Sequence, residues 1–433
     1  MHHLTADLLH FLDASPCNFW ATRNIADRLA EAGFTALDMR DAWHLEQGGK
    51  YFVTKNGSAI FAFILGTDPL SGYHIICAHS DSPGFRIKPN AEMLRDGNML
   101  RLNTEVYGGP ILYTWFDRPL SIAGRVVLAS NNPLEPEVRL VRFDRPLLTI
   151  PHLAIHYNRS VNDGNPLSRQ RDMLPLMAIL ADDVHPQGYL RHMVAEKLGV
   201  AAEKILDFDL TLYDTTPSCL FGPNEELLSA SRIDDLEMAH AALSALLQSA
   251  SDAVGIKSTR VMAIFDNEET GSGTKQGAAS PILHTILHRI DAALGGSDET
   301  FSRAIAASFM ISADNGHATH PNYPDKQDPT NHPTLGHGPV IKINANCKYM
   351  TDADSSAVFQ MICQRANVPC QMFVNHSDVA GGSTLGNILT SQLDLRGIDM
   401  GAPQLAMHSC RETAAVADHL YTIAAFSTFY SLT

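Results

Sequence analysis

Two adjacent glutamates, Glu268 and Glu269, follow the apolar run Val261-Met262-Ala263-Ile264-Phe265 and precede Gly271 and Gly273. A run of that length, bounded by turn residues, reads as a buried strand of an α/β sheet. Acids just beyond the carboxyl end of a parallel strand stand where such folds place their chemistry. Neighbours in a loop point different ways, so one carboxylate can bind a metal while the other acts on a water as general base. The glycines mark a tight turn or a close backbone approach. Taken alone, the pair reads more readily as an acidic, solvated turn after a strand.

Four other places carry ligand-type side chains at strand ends or helix starts: His79 with Asp81, Asp234 with Asp235, Asp314 with His317 and His320, and His408 with Glu412. Each signal is weak by itself. A single His at a strand end is most often a hydrogen-bonded structural group, and an Asp before a helix is usually a cap. In a parallel sheet, however, the strand ends gather along one edge. Histidines mixed with carboxylates then suit two divalent ions, zinc first, with manganese and cobalt as alternatives. Such ions sit about 3.5–4 Å apart and share a carboxylate. No cysteine is spaced to bind with them, which argues against a structural zinc. Asp81, two residues after His79, is placed to accept the second ring N–H of that histidine and orient it.

The elements that would hold these residues follow from the pattern. Residues up to about 35 read as two helices, the second ended by Gly33. Strands at 50–54 and 59–65 flank Lys55-Asn56-Gly57, a hairpin signal, and another covers 73–78. Between residues 88 and 226 the pattern changes to short strands (99–106, 122–128, 138–143, 206–212) broken by Pro and Gly, which suggests an inserted, mostly β, barrel-like domain. After it a helix opens at Asp234. Strands at 261–265, 309–312, 340–344, 371–374 and 404–407 alternate with helices at 281–294 and beyond Val416. That alternation predicts a doubly wound, mainly parallel sheet. The expected division is a catalytic domain from residues 1–87 plus 227–433 and an inserted domain from 88–226, and two domains suit a chain of 433 residues.

Composition excludes several classes. A formal charge of −15 opposes a nucleic-acid partner, because binding phosphates needs a basic face. The longest apolar runs fall far short of the roughly 20 residues that cross a bilayer, so no membrane partner is expected. The start, Met1-His2-His3-Leu4-Thr5, lacks the basic and apolar segments of a signal peptide. Seven cysteines, an odd number without a paired spacing, suit a reducing, cytoplasmic location. Cys77 reads as a buried structural thiol.

Five motifs occur in order: His79-Ser80-Asp81-Ser82-Pro83, Arg232-Ile233-Asp234-Asp235, Asn267-Glu268-Glu269-Thr270-Gly271-Ser272, Ser312-Ala313-Asp314-Asn315-Gly316-His317 and Ala406-Met407-His408-Ser409. Together with the stretches Pro151 to His156 and Gly338 to Asn344, they resemble the M18 metalloaminopeptidases, the aspartyl aminopeptidases. The likeness spans residues 15–430. It implies that His79 and Asp314 hold one metal, Glu269 and His408 the other, and that Asp234 bridges them. Glu268 would be the general base and Asp81 the orienter of His79. Asp235 stands where the family often has Asn, and adds a second charge close to the metals.

The resemblance also implies a tetrahedral homododecamer in which His156 reaches toward a neighbour's site. Lys342 would lie near the pocket for the first residue of the substrate and favour Asp or Glu there, with His317 and His332 lining the same region. Pattern alone reads Lys342 equally well as part of a solvated strand face. The expected activity is removal of the amino-terminal residue from short peptides. Two alternatives are a related dinuclear-metal carboxypeptidase or deacylase, and a non-catalytic assembly subunit that retains the fold.

Overall fold

Strands that are apolar on both faces need cover on both faces, and the run at 261–265 receives it. In the computed structural model, which describes residues 2–250 and 255–432, it belongs to the strand Thr259–Phe265, every residue of which is buried. Met1 and Thr433, the outer limits of the expected catalytic domain, lie outside the described residues. Met262 and Ile264 join one apolar cluster, with the helices His3–Ala14, Asn18–Glu31, Ile233–Ser249 and Val416–Tyr430. Val261, Ala263 and Phe265 join a second, with the helices Ile282–Ala293 and Asp298–Ala306. Each fully buried Val, Ile or Phe contributes about 1.5–3 kcal/mol, so this one strand ties both layers to the sheet.

The sheet has nine strands in the order Thr35–Ala36, Lys50–Lys55, Ala59–Ile64, Thr259–Phe265, Tyr73–His79, Phe309–Ala313, Arg396–Gly401, Val340–Ile343, Gln371–Val374. The four strands from Thr259–Phe265 to Arg396–Gly401 run parallel to one another. Antiparallel pairing flanks them, through Ala59–Ile64 on one side and Val340–Ile343 on the other. The sheet is therefore mixed. Asn56 and Gly57 both take positive φ at the centre of the turn between Lys50–Lys55 and Ala59–Ile64, which the Ser58 N–H closes on the Lys55 carbonyl oxygen at 3.2 Å. A five-stranded sheet joins Cys219–Phe221, Leu227–Ala230, Glu412–Ala415, Pro403–Leu405 and Gly316–His317. The strand expected at 404–407 is Pro403–Leu405 in this smaller sheet, and it stops where Ala406 turns to positive φ.

Several elements escaped the pattern, among them the strand Gly84–Arg95 and the helix Tyr189–Leu198, and three others show why. The strand Arg396–Gly401 carries two glycines and a buried Asp399, a poor strand composition. Its Gly401 is required by contact: a Cβ there would lie 1.8 Å from the carbonyl oxygen of Asp314. The helices Asp298–Ala306 and Ala353–Ala366 also went unread, although both begin with capping boxes, at Ser297 with Thr300 and at Asp352 with Ser355.

The chain divides into two compact units. The first comprises the described residues of Met1–Asp81, Ser218–Met407 and Glu412–Thr433, and the second comprises Ser82–Pro217 with His408–Arg411. The second holds an antiparallel sheet in the order Glu137–Arg142, Leu120–Leu128, Ile205–Asp214, Gly84–Arg95, Met99–Tyr107, Leu176–Ile179. Bridges from Leu148 to Leu120 and from Thr149 to Leu176 link strands that are distant in this order. Phe85, Leu102, Trp115, Ile122, Val126 and Leu210 fill its interior.

Candidate metal centre

Strand register brings the separated acids together. Phe265 pairs with His79, so the Glu268 turn starts just beyond the end of the His79 strand. Ser312 pairs with Cys77, so Asp314 is level with His79 on the other side. Asp234 and Asp235, joined by a cis peptide bond, depart from helical angles at the start of Ile233–Ser249. Asn267 at φ +62° and Gly271 at φ +91° enclose a single 3₁₀ turn, Glu268–Thr270, that presents the two glutamates. Left-handed φ is why Gly stands at 271.

Two groups of ligand atoms result, His79 with Asp234 and Glu269, and His79 with Glu268 and Asp314, each lying within 4.8 Å of one another. His79 Nε2 is 3.5 Å from Asp234 Oδ1. His79 Nδ1 lies 3.3 Å from Asp81 Oδ1 and 3.1 Å from the Asp81 carbonyl oxygen. The Asp81 carboxylate also accepts the backbone N–H groups of Glu268 at 3.1 Å and Glu269 at 3.2 Å. One buried carboxylate thus fixes the turn that carries the glutamates as well as the ring of His79. Asp235 does the corresponding work on the opposite side, accepting from the N–H of His79 at 3.0 Å and of Asn315 at 3.3 Å. Glu412 Oε2 accepts the N–H of Asp234 at 3.1 Å.

The electrostatics call for a cation. Burial pushes the Glu268 carboxyl up to about 8; His79 opposes this, while the charges of Asp314, Asp234 and Asp81 add to it. Burial, reinforced by Asp234, drives Glu269 well above its ordinary range, and burial does the same to Asp235. Burial would lower His79, but the Asp235, Asp234 and Asp81 carboxylates outweigh it and raise the ring well above its usual value. An imidazole and several oxygens crowded so closely form a donor set that fits a divalent ion of the zinc, manganese or cobalt type.

Lys342 is a further cation at this edge. It is 4% exposed, and its Nζ donates to Asp314 Oδ1 at 2.8 Å. The reading of a solvated strand face is therefore corrected: the strand Val340–Ile343 is paired on both sides, and the ammonium is buried against a carboxylate. His317 is exposed, with its ring 6.2 Å from that of Phe373, and His332 is exposed as well. His320 Nδ1 accepts the N–H of Asn322 at 3.1 Å, a turn contact. In the second unit, His408 takes φ +68° and its Nδ1 lies 3.1 Å from the Gly109 carbonyl oxygen. His156 is exposed on the short turn Ile155–Tyr157 of that unit. Cys77 is fully buried, and burial with the nearby Asp399 pushes its thiol up, as an inert structural residue requires.

Asn315 and the supporting parts played by Asp235 and Glu412 were not read from the sequence. Their partners lie tens to hundreds of residues away, and no local spacing announces them.

The family model of the aminopeptidase I zinc metalloproteases (M18) matches residues 11–430. The chain is 48% identical over 428 residues to a Clostridium novyi protein described as "Probable M18 family aminopeptidase 2", covering 98% of each chain. Among solved structures, it matches a chain from "Cryo-EM structure of the Ape4 and Nbr1 complex" with a TM-score of 0.94 and 36% identity, over 99% of this chain and 85% of that one. It also matches the S. cerevisiae mApe1 dodecamer with a TM-score of 0.86 and 26% identity, over 99% and 96% of the two chains. A match over nearly its whole length, with relatives of this identity, means that the chain belongs to the M18 family of aminopeptidases.

Proposed function

We propose that the protein is a metal-dependent aminopeptidase that removes the first residue of short peptides, preferring Asp or Glu there. The observation that carries this reading is the convergence of His79, Asp234, Glu268, Glu269 and Asp314 at one edge of the sheet. His79 and Asp314 would hold one divalent ion and Glu269 the other, with Asp234 shared. By family resemblance His408 completes the set, with two zinc ions as the expected complement. When bound, such ions polarise the scissile carbonyl, hold the substrate amine and activate water.

The chain's own groups do the rest. Glu268 is the general base: a carboxylate oxygen takes a proton from the attacking water and returns it to the leaving nitrogen. Asp81 keeps the His79 ring and the glutamate turn in place. Lys342 has three donors and gives one to Asp314. Its charge would favour an acidic side chain on the substrate and leave Leu or Ala without compensation for desolvating it. His317 and His332 would line the same pocket.

The assembly is proposed as a homododecamer working in the cytoplasm, with residues 88–226 as the inserted oligomerisation domain. Exposed Leu153, Ile155 and Tyr157 around His156 support an interface there. Among the described residues, no helix is long and apolar enough to cross a membrane.

A panel of aminoacyl substrates with zinc, manganese or cobalt, and one amino-terminally blocked peptide, tests this reading. In the metal-replete enzyme, Glu268→Gln should lower turnover by at least ~10²–10⁴-fold with metal content unchanged. Near-normal turnover would remove the assignment of the base. Cleavage of the blocked peptide would point to a carboxypeptidase or deacylase instead.

A further inference from the structure

Behind the proposed metal ligands, a line of polar groups runs through the first unit, from the partly exposed Arg28 and Asp7 into the core. Arg28 binds both oxygens of Asp7, each at 2.9 Å. Asp7 Oδ2 is 2.9 Å from His240 Nε2, and His240 Nδ1 is 3.0 Å from His419 Nε2. His419 Nδ1 faces Glu237 Oε1 at 3.7 Å, and Glu237 Oε2 accepts from Asn315 Nδ2 at 2.7 Å. Glu237 and His240 are 0% exposed, and His419 and Asn315 are 1% exposed.

The donor inventory fixes the direction of this line. A guanidinium only donates, so Asp7 accepts from Arg28, and as a carboxylate it accepts from His240 as well. Hydrogen bonding to His240, with the nearby charge of Arg28, holds the Asp7 carboxyl well below its ordinary range. The His240 proton is therefore on Nε2. Burial lowers the pKa of that ring and keeps it neutral, so its Nδ1 must accept. His419 then donates from Nε2. Burial holds its pKa well down, so its Nδ1 is an acceptor too. That acceptor faces a carboxyl oxygen, and among the described residues neither atom has a hydrogen-bond partner. Two buried acceptors face each other unless one carries a proton.

We propose that Glu237 is held as a neutral carboxylic acid whose hydroxyl is directed at His419 Nδ1 across this 3.7 Å gap, and that the resulting one-directional chain positions Asn315 and, through it, the metal centre. Glu237 Oε2 and the Ala402 carbonyl fix both the orientation and the place of the Asn315 amide. The Asn315 N–H then meets Asp235, whose other oxygen holds the N–H of His79. Asn315 also follows Asp314 directly. Glu237 is thus a positioning residue, linking the Asp7 end of the chain to two proposed ligands. Burial supports the neutral form by pushing its carboxyl up to about 8; the Asn315 hydrogen bond opposes this, while the charges of Asp418 and Asp234 add to it.

The proposal rests on the metalloaminopeptidase reading only for the part concerning Asp314 and His79. Glu237→Gln retains a donor for His419 and an acceptor for Asn315. In the zinc-loaded enzyme at pH 7 it should keep kcat, KM and the zinc dissociation constant within about threefold of wild type. Glu237→Met leaves both neighbours unmet and should weaken zinc binding by about 10–100-fold, the usual effect of losing a group that orients ligands. The direct reading is infrared spectroscopy. The wild-type minus Glu237→Gln difference spectrum at pH 7 should contain the carbonyl band of a protonated carboxylic acid. Absence of that band, as with an ionised Glu237 bridged to His419 by a water, would overturn the proposal. So would a Glu237→Gln variant that binds zinc at least tenfold more weakly. The infrared and zinc measurements decide the matter even if the enzyme cleaves no peptide, and Glu237→Gln suffices if Glu237→Met does not fold.

Discussion

Lys342→Met keeps the length and apolar stem of the side chain and deletes only the ammonium. In the wild-type protein that ammonium sits 2.8 Å from Asp314 Oδ1, with side-chain exposures of 5% and 11%. Burial alone would lower the lysine pKa, but the Asp314 charge overcomes it and holds the value above normal. Breaking such a pair from one side costs about 3–5 kcal/mol, because it leaves a buried charge uncompensated. A divalent ion on Asp314 would supply the missing compensation, so the cost should depend on metal. In a folding unit of roughly 300 residues, with about 2.1 cal/mol/K of unfolding entropy per residue, 3–5 kcal/mol corresponds to about 5–8 °C in Tm. That loss is expected by calorimetry in a chelator, and less than half of it in saturating zinc. Kinetics give the second arm. For amino-terminal Asp and Glu substrates, kcat/KM should fall by about 2–4 kcal/mol, or about 30- to 700-fold, while amino-terminal Leu changes little or rises. Equal Tm losses with and without zinc would refute the shared neutralisation of Asp314. Equal kinetic losses on acidic and neutral substrates would make Lys342 structural.

Asp81→Ala removes the acceptor for two backbone N–H groups and for the His79 ring, so zinc affinity should weaken by about 10–100-fold; competition against a chelating dye measures it, and unchanged affinity would contradict the orienting part. His156→Phe should bind zinc and assemble normally yet be nearly inactive, and mixing with Glu268→Gln should restore some turnover; no recovery after verified subunit exchange would count against a shared site. The fully buried Asp418 accepts the N–H groups of Gly336 and Gly338, each at 2.7 Å, and burial raises its carboxyl to about 6. A folded-state pKa above the unfolded one means that the folded protein retains a proton the unfolded chain releases. This stabilising contribution is complete below about pH 4 and is lost as pH rises through about 6, an effect of about 3 kcal/mol. Asp418→Asn should flatten the pH dependence of urea unfolding in that window, and an unchanged slope would place the titration elsewhere.

Much of the fold was legible because its signals are local. The run Val261 to Phe265, the turn at Asn56-Gly57 and the helix opening beside Asp234 are each specified by neighbours within a few residues, and all three stand where the pattern put them. The acids and His79 of the candidate site were legible for the same reason, since each lies immediately beyond a readable strand or at a helix start. What escaped is selected by distant contacts. The strand Arg396–Gly401 is shaped by what it must avoid: a Cβ at Gly397 would meet Met350 and Met310, and one at Gly401 would meet Asp314. Its Asp399 is buried because Thr384 and the Met350 N–H satisfy it, and neither is near it in sequence.

Glu237 shows the same limit at a single residue. Between Leu236 and Met238 on a helix, a glutamate reads as part of the solvated face, because charged residues are almost never fully buried without partners. Here the partners exist, but Asn315 and His419 are 78 and 179 or more residues distant along the chain from the helix face they complete. Lys342 differs only in that its strand neighbours are apolar, which makes burial and solvation equally readable until Asp314 is brought opposite. In both cases the informative quantity is the partner's identity, and register across a sheet or between packed helices supplies it. A buried charge is therefore the kind of residue whose type can be read locally while its protonation cannot. The same Glu237 is a counter-charge if His419 carries two protons, and a donor if it carries one. The neutral histidines fix the second state, which is why replacing Glu237 with its uncharged amide is expected to be mild while replacing it with an apolar side chain of similar size is not.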